Sequence, residues 1–314
     1  MLLRANSTLL VLGLLCIWTA STIAQPSDPC NSDTFLGVCG LTNPNDFIYD
    51  SQSPELGEIP FSVRSYNQFF IWSFPVNYIV TVQGTASGNN FLLSAPGGQA
   101  AISMDFTDSS GATSNLLPDT PSAAFQGSIN AAPVFIDATL ETNGATLLPD
   151  TYTGIFQLSL DQQGCFDCRN ISDIELIIEL VVAPEIRISG LSDMAIDANP
   201  TGLTEALQTF CVYSQGGAPF GITAGSGNGN GSFLLARNVD QIEYETWMES
   251  LSSAGQEQLT EGQPSALSWP GSLWDGCTGS GENMQISIRI QQSAIADAME
   301  SSYTDTLTLT VELD

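Results

Sequence analysis

Cys165 and Cys168 stand at the C-x-x-C spacing that serves thiol redox chemistry or half of a zinc site. Redox use needs a lowered thiol pKa, commonly supplied by the start of a helix. Here Cys168 leads instead into the β-favouring run DIELIIELVVA at 173–183, which points to a structural disulfide. With Cys30 and Cys39 the pair could supply four zinc thiolates by count, but an oxidising compartment favours bridges. Conventional nucleophilic catalysis is excluded by composition. The chain has no His, and its 6 basic residues are all Arg, so no Ser-His-Asp set, Cys-His pair or Lys Schiff base can be assembled. Two of the 34 acidic residues could still act as a glycosidase pair, which is the one enzymatic option left open. Asp105 and Asp108, in the cluster DFTDSSG, could touch calcium but match no defined calcium loop, so a solvated turn is expected. The expectation is a protein without a cofactor that is not an enzyme.

The elements that would carry such residues follow an export signal. Arg4, the apolar run 9–18 and the small-residue pattern Thr22-Ile23-Ala24 read as a secretory signal peptide over 1–24, too short in its apolar part to span a bilayer. Its removal takes Cys16 and leaves six cysteines, an even number that suits disulfides in an exported chain. A formal net charge of −28 argues against nucleic acid as a partner, because binding it requires cations to neutralise phosphates. Anionic membrane surfaces are disfavoured for the same reason.

Short β-like runs dominate. The stretch 61–82 is apolar and β-favouring, and further runs lie at 90–94, 101–106, 134–140 and 152–160, separated by turn clusters such as Ala95-Pro96-Gly97-Gly98. This spacing predicts an all-β sandwich. Pro184 marks a boundary, giving a domain over 25–184 and another over 185–314. That division isolates Cys211 with Cys277 and predicts their disulfide, while the pairing among Cys30, Cys39, Cys165 and Cys168 stays open.

An internal echo links the two halves. Tyr152 and Thr153, with Phe156, Leu158 and Leu160, align with Tyr303 and Thr304, with Leu307, Leu309 and Val311. The first copy is followed by the run 173–183, which could close its sheet. The second is followed by three residues, Glu312, Leu313 and Asp314, so its sheet is expected to lack a strand.

The second domain resembles the spore coat protein U family, the pilin domains of archaic chaperone-usher pili. The resemblance rests on Phe210-Cys211-Val212-Tyr213-Ser214, Phe220-Gly221-Ile222-Thr223, Gly231-Ser232-Phe233-Leu234-Leu235, Ile242-Glu243-Tyr244, Gly276-Cys277 and the closing run from Tyr303 to Val311. It implies two immunoglobulin-like β-sandwich domains, the C-terminal one an incomplete pilin domain without its last strand. A periplasmic pilus chaperone would fill the groove first, an outer-membrane usher would assemble the fibre, and a neighbouring pilin subunit would donate the missing strand. Tyr303, Leu307, Leu309, Val311 and Leu313 would form the acceptor strand. Residues 25–30, with two Pro and no apolar alternation, suit no donor strand, which places the subunit at the pilus tip on the cell surface. The function implied is a tip adhesin for attachment to an abiotic or host surface, or for biofilm formation. The alternative is a freely secreted carbohydrate-binding module or carboxylate glycosidase. For the contact itself, Phe69, Phe70, Ile71, Trp72 and Phe74 form either an exposed apolar patch or a strand buried on both faces, and Leu116 with Leu117 is a second candidate.

Overall fold

The structure, a computed structural model, describes residues 35–314 except 51, 52, 200, 254 and 280. The signal-peptide reading, residues 25–30 and Cys30 therefore lie outside the described residues. The described chain is nearly all β, and its apolar side chains gather in two clusters.

The first cluster is wrapped by a 12-stranded sheet. Its path runs Leu36–Cys39, Glu55–Phe69, Ala132–Leu140, Gly98–Thr107, Asn90–Ala95, Asp150–Gln162, Asn170–Val182 and Asn45–Ile48. Period-two patterning explains why. Along Asp150–Gln162 the residues Tyr152, Phe156, Leu158 and Leu160 are buried while their neighbours face outward. The following strand, Asn170–Val182, pairs with it antiparallel from Asp150↔Val182 to Asp161↔Asn170 and buries Leu176, Ile178, Leu180 and Val182. Gly154 is required inside this ladder, since a Cβ there would lie 2.5 Å from Leu93 and 2.6 Å from the Phe156 ring. Cys165 and Cys168 close the turn between the two strands as a disulfide. Cys39 is also disulfide-bonded.

The second cluster lies between two sheets. One contains Ile186–Ser189, Thr204–Ser214, Met284–Ile290, Glu245–Ser250 and Gln256–Gln258; the other contains Trp269–Pro270, Pro219–Ser226 and Leu307–Leu313. Phe210, Val212, Ile286 and Ile288 come from the first sheet to meet Phe220, Ile222, Ala224 and Trp269 from the second. A Cys211–Cys277 disulfide pins the strand Thr204–Ser214 to the turn Asp275–Cys277. The clusters meet where the Gln215 side chain donates to the carbonyls of Gly144 and Leu147, both at 2.9 Å.

Like charges also shape the first sheet. Asp137 lies directly across from Glu58 on one neighbour and from Asp105 on the other. Burial, then the charges of Glu58, Asp105 and Glu55, raise its carboxyl above the ordinary aspartate value. Because the folded carboxyl holds its proton more tightly than the unfolded one, this repulsion is present at neutral pH and relaxes as the pH falls through the folded pKa. Asp137→Asn is expected to stabilise the protein by about 0.5 kcal/mol at pH 7. Thermal unfolding of variant and parent at pH 7 and pH 4 checks this, with the gap expected to narrow at the lower pH.

Candidate functional site

The strand Leu307–Leu313 pairs along one edge with Pro219–Ser226, from Ser226↔Leu307 to Phe220↔Leu313. Among the described residues, no strand pairs with its other edge. The effect on packing is visible side by side. Phe220, Ile222 and Ala224 on the inner strand are at most 1% exposed, whereas Leu307, Leu309, Val311 and Leu313 on the same face are only half-buried. They touch the core, and the strand Ile186–Ser189 lies near them without pairing.

A cleft opens along that edge. Leu191, Met194, Ile196, Leu235, Ile286, Ile288, Leu307 and Leu309 surround about 270 Å³. Beyond Asp305 it continues into a larger space of about 590 Å³ bounded by Ile242, Ile290, Ile295, Ala298 and Tyr303. The far wall is residues 191–198, which run without regular secondary structure and make no backbone-to-backbone hydrogen bond among the described residues. Met194 and Ile196 nevertheless pack against the core. The cleft thus has a strand edge with free hydrogen-bonding groups on one side, an extended unpaired segment on the other and an apolar floor. An extended peptide with alternating apolar side chains fits such a site.

Polar contacts fix the start of the edge strand. Asp305 accepts hydrogen bonds from Tyr244 Oη (2.5 Å), Ser226 Oγ (2.7 Å) and both nitrogens of Asn228 (3.1 Å). Burial, then the hydrogen bond and charge of Asp305, push the Tyr244 phenol up. Tyr303 donates to Asp240, which holds that carboxyl below the ordinary aspartate value, with further help from the Met299 N–H. Tyr303 itself stands outside the strand: Thr304 makes an isolated bridge to Ala236, and the ladder begins only at Leu307. The expected equivalence with Tyr152, which lies within its strand, fails at that position. Residues 191–198 and Asp305 carry no signal stronger than the short Met194-x-Ile196 alternation, and sequence reasoning passed over both.

The apolar run at 69–74 forms the tip of a hairpin. Tyr66↔Pro75, Asn67↔Phe74, Gln68↔Ser73 and Phe69↔Trp72 pair across it, and Phe70 at φ 55° turns the chain. Phe69, Phe70, Ile71, Trp72 and Phe74 are 64, 82, 83, 70 and 43% exposed, so this is no strand buried on both faces. The Phe69 and Phe70 rings meet edge to face at 4.6 Å. Leu116 requires a correction. It ends the strand Thr113–Leu116 opposite Met104 and is 1% exposed, so it is core and presents nothing to a surface; Leu117 is half-buried.

The groups weighed for chemistry take structural places. Cys165 and Cys168 are bonded to each other, which removes them as zinc thiolates. Asp108 is buried and accepts from Ser110 N (2.8 Å), Ser110 Oγ (2.6 Å) and Ala112 N (3.0 Å), closing its own turn. Burial would raise its pKa, but these bonds and the Gln126 N–H together hold it below the ordinary value.

No family model matches the sequence, and no curated protein matches it significantly. Solved structures with similar folds include the CupB6 tip adhesin of Pseudomonas aeruginosa, at 9% identity and TM-score 0.44 over 82% of this chain and 87% of that one. Another is the chaperone–tip adhesion subunit pre-assembly complex from the archaic chaperone-usher Csu pili of Acinetobacter baumannii, at 12% identity and TM-score 0.38 over 86% and 97%. A third is CfaE, the adhesive subunit of CFA/I fimbria of enterotoxigenic Escherichia coli, at 12% identity and TM-score 0.35 over 86% and 93%. Overlaps at these TM-scores place the chain in no family, and the functional reading rests on the geometry.

Removing the acceptor at the head of the edge strand should loosen it. Asp305→Ala removes the acceptor of the Tyr244 hydroxyl, the Ser226 hydroxyl and the Asn228 backbone N–H and is expected to cost about 2 kcal/mol. Hydrogen exchange followed by mass spectrometry should show faster exchange of the amides at 304–310 than of those at 150–162.

Proposed function

We propose that this chain is the tip adhesin of a chaperone-usher surface fibre, exported through the periplasm and joined to the fibre by accepting a strand from another subunit. The observation that carries this reading is the half-buried row Leu307, Leu309, Val311 and Leu313 on a strand whose second edge is unpaired among the described residues. An incoming strand would supply both what the edge lacks in hydrogen bonds and what the row lacks in cover. Four apolar side chains at roughly 1.5 to 3 kcal/mol each give about 10 kcal/mol as an upper estimate. Such a joint would be comparable to the stability of a typical single domain. In the cell, a periplasmic chaperone would hold the groove until an outer-membrane usher exchanges it for the neighbouring subunit's strand. The resemblance in sequence to archaic pilin domains points the same way.

In this proposal residues 185–314 form the anchoring domain and residues 25–184 the outer one. The topology supports that division of labour. Leu147 and Gly144, which accept from Gln215 at the meeting of the two clusters, lie just before the strand Asp150–Gln162. Gln162, at the other end of that strand, reaches the base of the aromatic hairpin through Tyr66 O. At about 3.3 Å per residue the hairpin base is roughly 40 Å from the junction. The hairpin is therefore placed to meet a surface, abiotic or host, and to support attachment or biofilm formation.

Two experiments test the halves separately. Leu309→Asp with Val311→Asp should abolish co-purification of the full chain with a second polypeptide. Recovery of the parent as a lone, stable monomer whose amides at 307–313 resist exchange would reject the open groove. Trp72→Ser with Phe74→Ser should reduce attachment of producing cells several-fold while the exported fibre remains. Unchanged attachment would reject the hairpin as the contact.

A further inference from the structure

Ala183, Pro184 and Glu185 alone join the last strand of the first half, Asn170–Val182, to the first strand of the second, Ile186–Ser189. A linker this short limits how far the halves can separate but leaves them free to turn, and relative motion is the default where domains share a small contact. Here both ends of the linker are tied down. Tyr49 N donates to Val181 O just before it, and Gln215 N donates to Glu185 O at its end, both at 2.9 Å.

A second tie crosses between the halves. Gln215 is 3% exposed, and both hydrogens of its Nε2 are used, one on Gly144 O and the other on Leu147 O, while Oε1 accepts from Tyr213 Oη at 3.0 Å. Burial, then the charge of Glu185, pushes the Tyr213 phenol up, so it stays protonated and donating. The receiving turn, Gly144–Thr146, is itself fixed. Asn143 Oδ1 accepts from Ala145 N (3.2 Å), Asn143 O from Thr146 Oγ1 (2.7 Å) and Gly144 O from Leu147 N (3.0 Å). Two bonds from one planar amide to two carbonyls of a fixed turn hold direction as well as distance, because rotating either half bends or breaks one of them.

Close packing removes the remaining freedom. Gly216, at φ 67°, comes so near the first half that a Cβ there would stand 2.5 Å from Leu147 O and 2.8 Å from Leu148 Cα. Gly144 lies against the Tyr49 ring, where a Cβ would stand 2.1 Å away. The turns thus meet backbone on backbone, with glycine where a side chain has no room. The charged groups nearby, Glu185, Arg187 and Asp275, are exposed and paired with one another. The tie itself consists of buried neutral bonds, which salt does not screen.

Both second-half parts of this joint lead to the acceptor edge. From Gln215–Gly217 the chain enters Pro219–Ser226, the partner of Leu307–Leu313, and Asp314 N donates back to Pro219 O at 3.1 Å. Glu185 opens into Ile186–Ser189, which lies near the same edge strand. The joint is rooted in the strands that border the groove, and no loose surface loop intervenes.

We infer that Gln215, Gly216 and Gly144 form an interlock that fixes the two halves in one orientation, so that the chain is one rigid body and not two domains on a hinge. The test places spin labels on noncanonical residues at the exposed positions Ala124 and Ser253, one in each half of the full-length chain, and reads their separation by double electron–electron resonance. The parent is expected to give one narrow distance distribution, the same at low and high salt. Gln215→Ala should broaden it at least about twofold. Gly216→Ala should shift its mean. Hydrogen exchange of the amides at 152–160 and 210–213, followed in the same samples, is expected to keep the parent's protection, which shows that both halves remain folded. Should Gln215→Ala lose that protection, Gly216→Ala decides alone. A broad or salt-dependent distribution for the parent overturns the interlock, as do folded variants with the parent's width and mean. The separation reads neither strand capture nor attachment, so this outcome is independent of the proposed function.

Discussion

A β-strand edge can be satisfied by another strand or by water, and only the first also covers the apolar face beside it. The two halves of this chain resolve that constraint differently. Tyr152, Phe156, Leu158 and Leu160 are sealed because Leu176, Ile178 and Leu180 come down alongside them, and all seven are at most 1% exposed. Leu307, Leu309, Val311 and Leu313 have the same alternation but, among the described residues, no strand paired on that side, and they stay only half-buried. Most of what distinguishes the second half depends on that one missing ladder: the cleft beside Leu307, the larger space by Tyr303 and the unpaired segment at 191–198. The bonds that Asp305 accepts hold the edge strand in register although half of its partners are absent.

Electrostatics contributes little that is favourable to this fold. The ion pairs Arg169–Asp167, Arg187–Glu185, Arg187–Asp275 and Arg237–Glu300 are all well exposed, where such pairs give at most about 1 kcal/mol each. Arg289–Glu205 is less exposed, and the Arg289 guanidinium also lies 4.8 Å from the Trp247 ring. Against these stand rows of like charge such as Glu58, Asp137 and Asp105. Stability must come from apolar burial and backbone ladders. The incompletely covered row in the second half is therefore a deficit that these weak ion pairs do little to offset.

Period-two patterning made the strands legible. Where apolar residues occupy consecutive positions, period carries no information about faces. Residues 69–74 could be read as doubly buried or exposed, and only the register Phe69↔Trp72, which carries the hairpin past the end of the core, decides it. Leu116 fails for the opposite reason. Its neighbour Pro118 reads as a turn, yet Leu116 still pairs opposite Met104, and a pairing 12 residues distant in sequence leaves no local mark. Tyr303 matched Tyr152 in type while Asp305, two residues on, was drawn into a polar cluster that delays the ladder to Leu307.

In the proposed function, contact at one end and anchorage at the other would require that force pass through the first half without opening it. The strand Asp150–Gln162 connects the two ends, with Gln162 under the hairpin and Leu147 just before its start at the junction. Its neighbour Asn170–Val182 runs back antiparallel over nearly its whole length and leads into Ile186–Ser189 of the second half. A pull along this pair loads the ladder hydrogen bonds in parallel, so that many must fail together before the strands slide. The disulfide between Cys165 and Cys168 closes the turn at the loaded end, where a ladder would otherwise begin to fray. At the other end, Gln215 is itself braced by Tyr213 Oη at 3.0 Å, and Gly216 comes so close to Leu147 O that a Cβ would stand 2.5 Å away. Any side chain there would push the halves apart. On that proposal the weakest joint under load would be the strand supplied from outside, and its hold would depend on how fully that strand covers Leu307, Leu309, Val311 and Leu313.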